Sequence, residues 1–331
     1  MTTVALRYDL RSAPFAATKH PELYRTCLDQ AAWADEHGVG DVVVLSEHHA
    51  MEDGFIPAPF TMAAAVAART NRLMISIAAA LVPLHDPVRL AEQIAIVDLV
   101  SGGRVNFVAG AGYAKHEFEM AGVERKERGR LLEEYVEVML KAWTGEPFEW
   151  RGRTVRVTPV PKTRPHPLIL MGGSSEASAR RAARLKLPFF PALGDVRLVD
   201  WYRDEAAKVG FDHPFALLPN GPGFVHVTED PDAAWEEISR YAWYDADTYR
   251  SWQAPGQSSE VTTHASNPEE LRKEGIYRVV TPDECFALAE ELGPTGTIVL
   301  HPLMGGMPVE LGWSSLELFR EKVIPRLRPP A

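Results

Sequence analysis

Asp41-Val42-Val43-Val44-Leu45-Ser46-Glu47-His48-His49 is an apolar, β-branched run that ends abruptly in polar chemistry. Such a run reads as a buried strand, and the Ser-Glu-His-His after it reads as a strand end carrying function. The same arrangement recurs along the chain. Short apolar runs stand at Thr3–Tyr8, Asp41–Leu45, Leu73–Ala79, Val105–Ala109, Leu168–Met171, Pro188–Phe190, Gly223–Val227 and Thr297–Leu300. Segments of helical period lie between them at Pro21–Glu36, Ala58–Arg69, Val88–Leu99, Arg125–Trp143, Glu176–Leu185, Val196–Lys208, Asp232–Ala242 and Pro282–Glu291, with Ser315–Leu327 last. Eight alternating βα units predict an α/β fold, a (β/α)8 TIM barrel with insertions, as a single domain over residues 1–331. Helix starts are marked by Pro21, by Asp86-Pro87 and by Thr281-Pro282-Asp283.

Two stretches break the rhythm. Trp150–Pro167, with Arg151-Gly152-Arg153, reads as a β-turn excursion. Tyr241–Val280 joins Trp243, Tyr244, Tyr249 and Trp252 to a polar Gly-Gln-Ser-Ser run and is too long for an ordinary connection. Its aromatic residues suit a lid over the barrel mouth and a contact with a partner subunit equally well.

Composition narrows the partners. Among 331 residues, 45 acids against 35 bases give a formal charge of −10, which disfavours nucleic acid and anionic membrane surfaces. A small molecule is the expected ligand. Cys27 and Cys285 belong to no Cys/His cluster, so neither a disulfide framework nor a thiolate metal site is indicated. With no secretory h-region and no stretch of about 18 apolar residues, the expectation is a cytoplasmic protein.

In a TIM barrel the chemistry collects where the strands end. Strand two ends in Glu47-His48-His49, and alternation sends neighbouring side chains to opposite sides. A histidine there can exchange a proton near neutral pH, or it can be a hydrogen-bonded structural residue. Gly172-Gly173-Ser174-Ser175, with Ser178 one turn on, suits a phosphate at a helix start, or a glycine turn with a serine cap. Gly110-Ala111-Gly112 leaves room for a flat ring, or serves tight packing.

Ser46-Glu47-His48-His49, Leu81-Val82-Pro83-Leu84-His85-Asp86-Pro87-Val88-Arg89 and Asp98-Leu99-Val100-Ser101-Gly102-Gly103-Arg104 resemble, in order and spacing, the bacterial luciferase-like monooxygenases. The resemblance continues through Pro165-His166-Pro167, Gly172-Gly173-Ser174-Ser175 and Pro302-Leu303-Met304-Gly305-Gly306, nearly the whole chain. It implies a flavin-dependent oxidoreductase, a monooxygenase on a carbonyl-type or hydrophobic substrate, with reduced FMN from a separate flavin reductase, and a homodimer or higher homo-oligomer. A large branch uses the deazaflavin coenzyme for hydride transfer instead; the Glu-His-His triplet is similar to the FMN branch.

By the same resemblance Glu47, His48 and His49 are catalytic. Ala78-Ala79 falls where a cis peptide underlies the flavin ring, and Gly110, Gly112, Gly172, Gly173, Ser174, Ser175 and Ser178 line the cofactor. Gly110 and Ala111 stand where light-emitting relatives carry a cysteine and a phosphate-holding arginine, so light emission is not implied, and Arg180 is a candidate replacement. Readings of other classes are a flavin-binding protein without catalysis and a metal-dependent barrel hydrolase using His48, His49, His226 and His301. For the hydrolase, strand one lacks a His-x-His pair. No metal is expected.

Overall fold

The computed structural model describes residues 1–252 and 262–329. The chain runs β1 (Thr3–Tyr8), α1 (His20–His37), β2 (Val42–Leu45), α2 (Pro59–Arg69), β3 (Met74–Leu81), α3 (Pro87–Ser101), β4 (Val105–Gly110), α4 (Lys115–Ala121) and α5 (Arg128–Ala142). It continues with β5 (Phe148–Trp150), β6 (Arg153–Val155), β7 (Leu168–Gly173), α6 (Glu176–Arg184), β8 (Phe189–Pro191), α7 (Val196–Lys208) and β9 (Phe224–Val227). Last come α8 (Pro231–Trp252), α9 (Pro268–Glu274), β10 (Tyr277–Val280), α10 (Pro282–Leu292), β11 (Thr297–Leu300), α11 (Val309–Leu318) and α12 (Ile324–Leu327).

All strand pairs of the main sheet are parallel, in the order β10-β9-β11-β1-β2-β3-β4-β7-β8. Backbone bonds from a non-strand segment also link the β8 edge to β11. Phe189 N donates to Phe215 O and Leu217 N to Phe189 O, while Thr297 N donates to Asn220 O. Residues 215–220 therefore bond to β8 at one end and to β11 at the other. Helices cover the outside, as parallel strands buried on both faces require.

Helix starts agree with the sequence signals. Asp86 accepts from Val88 N and Arg89 N at the head of α3, behind Pro87. Thr281 and Glu284 form a reciprocal capping box at α10. Arg151 and Gly152 both have positive φ, 48° and 73°, as the two-residue turn of the β5–β6 hairpin demands. Among the described residues no helix is long and apolar enough to cross a membrane.

All eight expected strands exist in the main sheet, and that sheet has a ninth. Tyr277–Val280 pairs along its whole length with Phe224–Val227. The reading of Tyr241–Val280 as a single insertion outside the βα rhythm is thus corrected. Tyr241–Trp252 continues α8, and the far end is α9 and β10. Four residues with an exposed Arg278 carry a weak strand signal of their own, and neighbouring β9 supplies the missing hydrogen bonds. The polar Gly256-Gln257-Ser258-Ser259 run lies outside the described residues.

Candidate functional site

The triplet after β2 splits by alternation. Glu47 and His49 turn one way and His48 the other. Glu47, buried, accepts from Leu81 N at 2.6 Å on Oε2, while Oε1 lies 3.0 Å from His49 Nε2 and 2.6 Å from His85 Nε2. Burial alone would raise its pKa, but the bonds from His49, His85 and Leu81 hold it at about 2. Burial alone would lower the pKa of His49, and the Glu47 carboxylate reverses this and raises it.

His48 faces a different partner. Its Nδ1 lies 2.9 Å from Oε1 of Glu117, a carboxylate on α4 with no exposed surface that also accepts from His49 N. Around the imidazole stand Phe55 and Trp252, with ring centres at 4.7 and 4.6 Å, and Tyr113 at 5.8 Å. With Nδ1 engaged by a carboxylate, Nε2 is the nitrogen left to give or take a proton inside an aromatic chamber.

The Ala78–Ala79 peptide is cis, at an irregularity in the β3–β4 register. Gly110 pairs with Leu81 just past it. A Cβ there would lie 2.9 Å from the Ala79 methyl, so glycine is needed for the two strands to meet. Gly112 has φ +72° and sits under the Phe118 ring. Gly172 would bring a Cβ within 2.9 Å of Val108, and Gly173, at φ +146°, within 2.3 Å of Ser178.

Ser175 and Ser178 are used by the helix itself. They form a capping box at α6, and Ser178 Oγ also donates to Ser175 O at 2.6 Å. Ser174 has no hydrogen-bond partner among the described residues, which leaves its hydroxyl for a ligand at the helix start. Arg180 does not turn inward: it pairs with Glu176 and Glu205 on the outside. Arg181 turns to α5, pairing with Glu133 and setting Nη2 beside Gly129. Burial, with the neighbouring Arg184 and Arg128 charges, lowers its pKa despite Glu133, and Arg125 does the same to Arg128 behind burial. Arg181 and Arg184 share the one Glu133 carboxylate, with Arg128 close by, so positive charge is in excess there.

The C-terminal half of α8 closes over the mouth. Arg11, fully buried, donates from Nε to Asp53 at 2.6 Å and from Nη1 to Asp245 on α8 at 2.6 Å. Tyr244 donates to Asp53, Tyr277 to Asp245, and Arg7 to the Tyr249 hydroxyl. The Arg11 guanidinium lies over the rings of Phe55, Tyr244, Tyr249 and Trp252. Below it, Asp9 Oδ2 is 3.5 Å from His301 Nε2. Burial would raise the Asp9 pKa, yet His301, Arg11 and Arg7 hold it below the carboxylate range. Among the described residues Arg11 Nη2, Asp9 Oδ2, His301 Nε2 and Glu117 Oε2 are buried without hydrogen-bond partners, and a polar substrate or ordered water would satisfy them.

Sequence reading missed Glu117, Arg7, Arg11, Asp53 and Asp245. The signal for Arg7 and Arg11 was present, because charges within and just after an apolar strand stand where barrels keep their chemistry. No local pattern marks Glu117 or Asp245. Nor do the four histidines of the hydrolase reading converge. His301 faces Asp9, and His226 packs beside Phe224, where burial lowers its pKa to about 4.

Comparison with known proteins gives the family. The sequence pattern of the luciferase-like monooxygenases matches residues 10–292. An uncharacterized protein of Mycobacterium tuberculosis is 33% identical over 278 residues, 81% of this chain and 77% of that protein. The FMNH2-dependent dimethylsulfone monooxygenase of Pseudomonas putida is 35% identical over 138 residues, 39% of this chain and 38% of that one. The oxygenase component of a flavin-dependent trigonelline monooxygenase from Acinetobacter baylyi is 23% identical over 278 residues, 77% and 76% of the two chains. The match to an uncharacterized Sinorhizobium fredii protein spans only 47% of that protein.

Among solved structures, the monooxygenase RslO1 from Streptomyces bottropensis superposes with a TM-score of 0.79 at 25% identity, over 98% of this chain and all of that one. The oxygenating constituent of 3,6-diketocamphane monooxygenase from Pseudomonas putida, in complex with FMN, has a TM-score of 0.72 at 18% identity over 98% of each chain. An F420-dependent secondary alcohol dehydrogenase has 0.69 at 19% identity, over 99% and 100%. The last two likenesses are of fold.

Proposed function

The chain belongs to the luciferase-like monooxygenase family and is a flavin-dependent oxidoreductase, and from that premise we propose that it is the oxygenase of a two-component monooxygenase. It takes reduced FMN from a separate reductase and transfers one atom of O2 to a small carbonyl-type or hydrophobic substrate, the other atom leaving as water. The observation that carries this reading is the His48–Glu117 pair, buried in an aromatic chamber at the strand ends. The FMNH2-dependent relative supports the choice of flavin.

The residues fit such a cofactor. The unengaged Ser174 hydroxyl, the amides opening α6 and the guanidiniums of Arg128 and Arg181 suit a phosphate. Phe55, Tyr113 and Trp252 suit a flat ring and its substrate. Reduced FMN, when bound, supplies the two electrons that oxygen activation requires. His48 holds or moves a proton at Nε2, and Glu117 fixes the imidazole from the other nitrogen. Tyr249, Trp252 and the Arg11 anchor keep bulk water out of the chamber.

Anaerobic titration with reduced FMN and, separately, with reduced deazaflavin tests the reading. Tight binding of FMN alone, followed by substrate-dependent consumption of O2 in a ketone and sulfone panel, is expected. Binding of the deazaflavin alone, with hydride transfer and no oxygen uptake, would replace it.

A further inference from the structure

Glu47, His49 and His85 form a second cluster, on the side of β2 away from the His48 chamber. One possible ligand atom of each lies within 4.8 Å of the others, and Glu47 Oε1 is 3.0 Å from His49 Nε2 and 2.6 Å from His85 Nε2. Glu47 is buried, and the two imidazole side chains are 14% and 23% exposed, so an ion from solvent can reach them. We propose that these three residues bind a divalent transition-metal ion, with zinc as the type, at the junction of β2 with the turn after β3.

The donor set has the required chemistry. Two imidazole nitrogens and one carboxylate oxygen are the His2Glu set of three-ligand zinc sites, which leave a fourth position to water. A tetrahedral ion with bonds of about 2.1 Å keeps its ligand atoms about 3.4 Å apart, so small rotations of His49 and His85 suffice. The mixed nitrogen and oxygen set selects zinc, cobalt, nickel or copper and rejects magnesium and calcium, which demand more oxygen ligands.

The surroundings supply what a ligand trio needs. Glu47 Oε2 is anchored by Leu81 N at 2.6 Å, which aims Oε1 at the imidazoles. His85 lines a surface cavity of about 430 Å³ together with Pro83, Leu84, Asp86 and Trp150, and this is the entry path. Asp86 is no competitor for the ion, because its carboxylate caps α3 and pairs with Arg153. The inference does not depend on the flavin or substrate assigned to the chamber beyond His48.

The test uses the full chain without a polyhistidine tag, stripped with chelator and titrated with Zn²⁺ against a chromophoric chelator. One Zn²⁺ per chain is expected at micromolar affinity or tighter. His85→Gln and His49→Gln are each expected to weaken it at least 10-fold, with circular dichroism confirming that both variants fold. Co²⁺ should give the intense visible bands of a tetrahedral site, lost in either variant, and millimolar Mg²⁺ or Ca²⁺ should not displace it. Absence of saturable Zn²⁺ binding, or equal binding by the wild type and both folded variants, would overturn the proposal and leave the cluster a hydrogen-bonded brace only.

Discussion

His48 Nδ1 and Glu117 Oε1 meet at 2.9 Å across 69 positions of sequence, both residues buried at the mouth of the sheet. The carboxylate fixes which imidazole nitrogen faces the chamber, the arrangement used wherever a histidine must present a defined tautomer. His48→Asn is therefore expected to lower kcat about 100-fold or more while leaving FMN affinity within a few-fold. Glu117→Gln, which keeps shape but not charge, should lower kcat and leave KM near its original value. Turnover that survives both changes would make the pair structural.

The two serines at the head of α6 separate cleanly. Ser174→Ala should weaken FMN binding by about 1–2 kcal/mol, the scale of a lost hydrogen bond to a charged group, without moving the melting temperature. Ser175→Ala removes the cap and should cost about 0.5–2 kcal/mol of stability. Unchanged FMN affinity in Ser174→Ala and in Arg128→Met, measured by fluorescence quenching, would put the phosphate elsewhere.

Arg11 ties α8 to the barrel through Asp53 and Asp245. Burial opposes its charge, but those carboxylates and Asp9 outweigh the burial and raise its pKa further above the normal range. Arg11→Met strands two buried carboxylates and should cost about 3–5 kcal/mol in urea denaturation. Replacing both carboxylates as well, in Arg11→Met/Asp53→Asn/Asp245→Asn, should recover a large part of that loss. A single variant as stable as wild type would show that the α8 anchor lies in its aromatic contacts alone.

His226 gives the fold an acid limit. Burial holds its imidazole at about 4, against an ordinary value of 6.5, so the folded state binds fewer protons than the unfolded chain between those values. The stability it contributes is complete above pH 6.5 and falls away as the pH drops towards 4, by roughly 3 kcal/mol over that window. His226→Phe should flatten the corresponding part of the stability profile. Parallel profiles for the two proteins across that range would refute the assignment.

Much of the fold was legible because its signals are local. Apolar runs of strand length, an Asp-Pro or Thr-Pro ahead of a helical face, and Arg-Gly in a hairpin turn each act over a few residues, and each formed the element expected. The split of Glu47 and His49 from His48 was likewise implicit in the two-residue period of an extended chain. Tertiary structure decided the rest. Tyr277–Val280 is a strand because β9 pairs with it, and Gly110 is a packing glycine because Ala79 arrives beside it. Glu117 reaches His48 from α4, and Asp245 reaches Arg11 from α8, because the parallel sheet brings the segments after its strands to one end. Those partners are ordinary acids in amphipathic helices, and nothing in a helical period distinguishes a carboxylate that faces water from one that is buried on a distant imidazole or guanidinium.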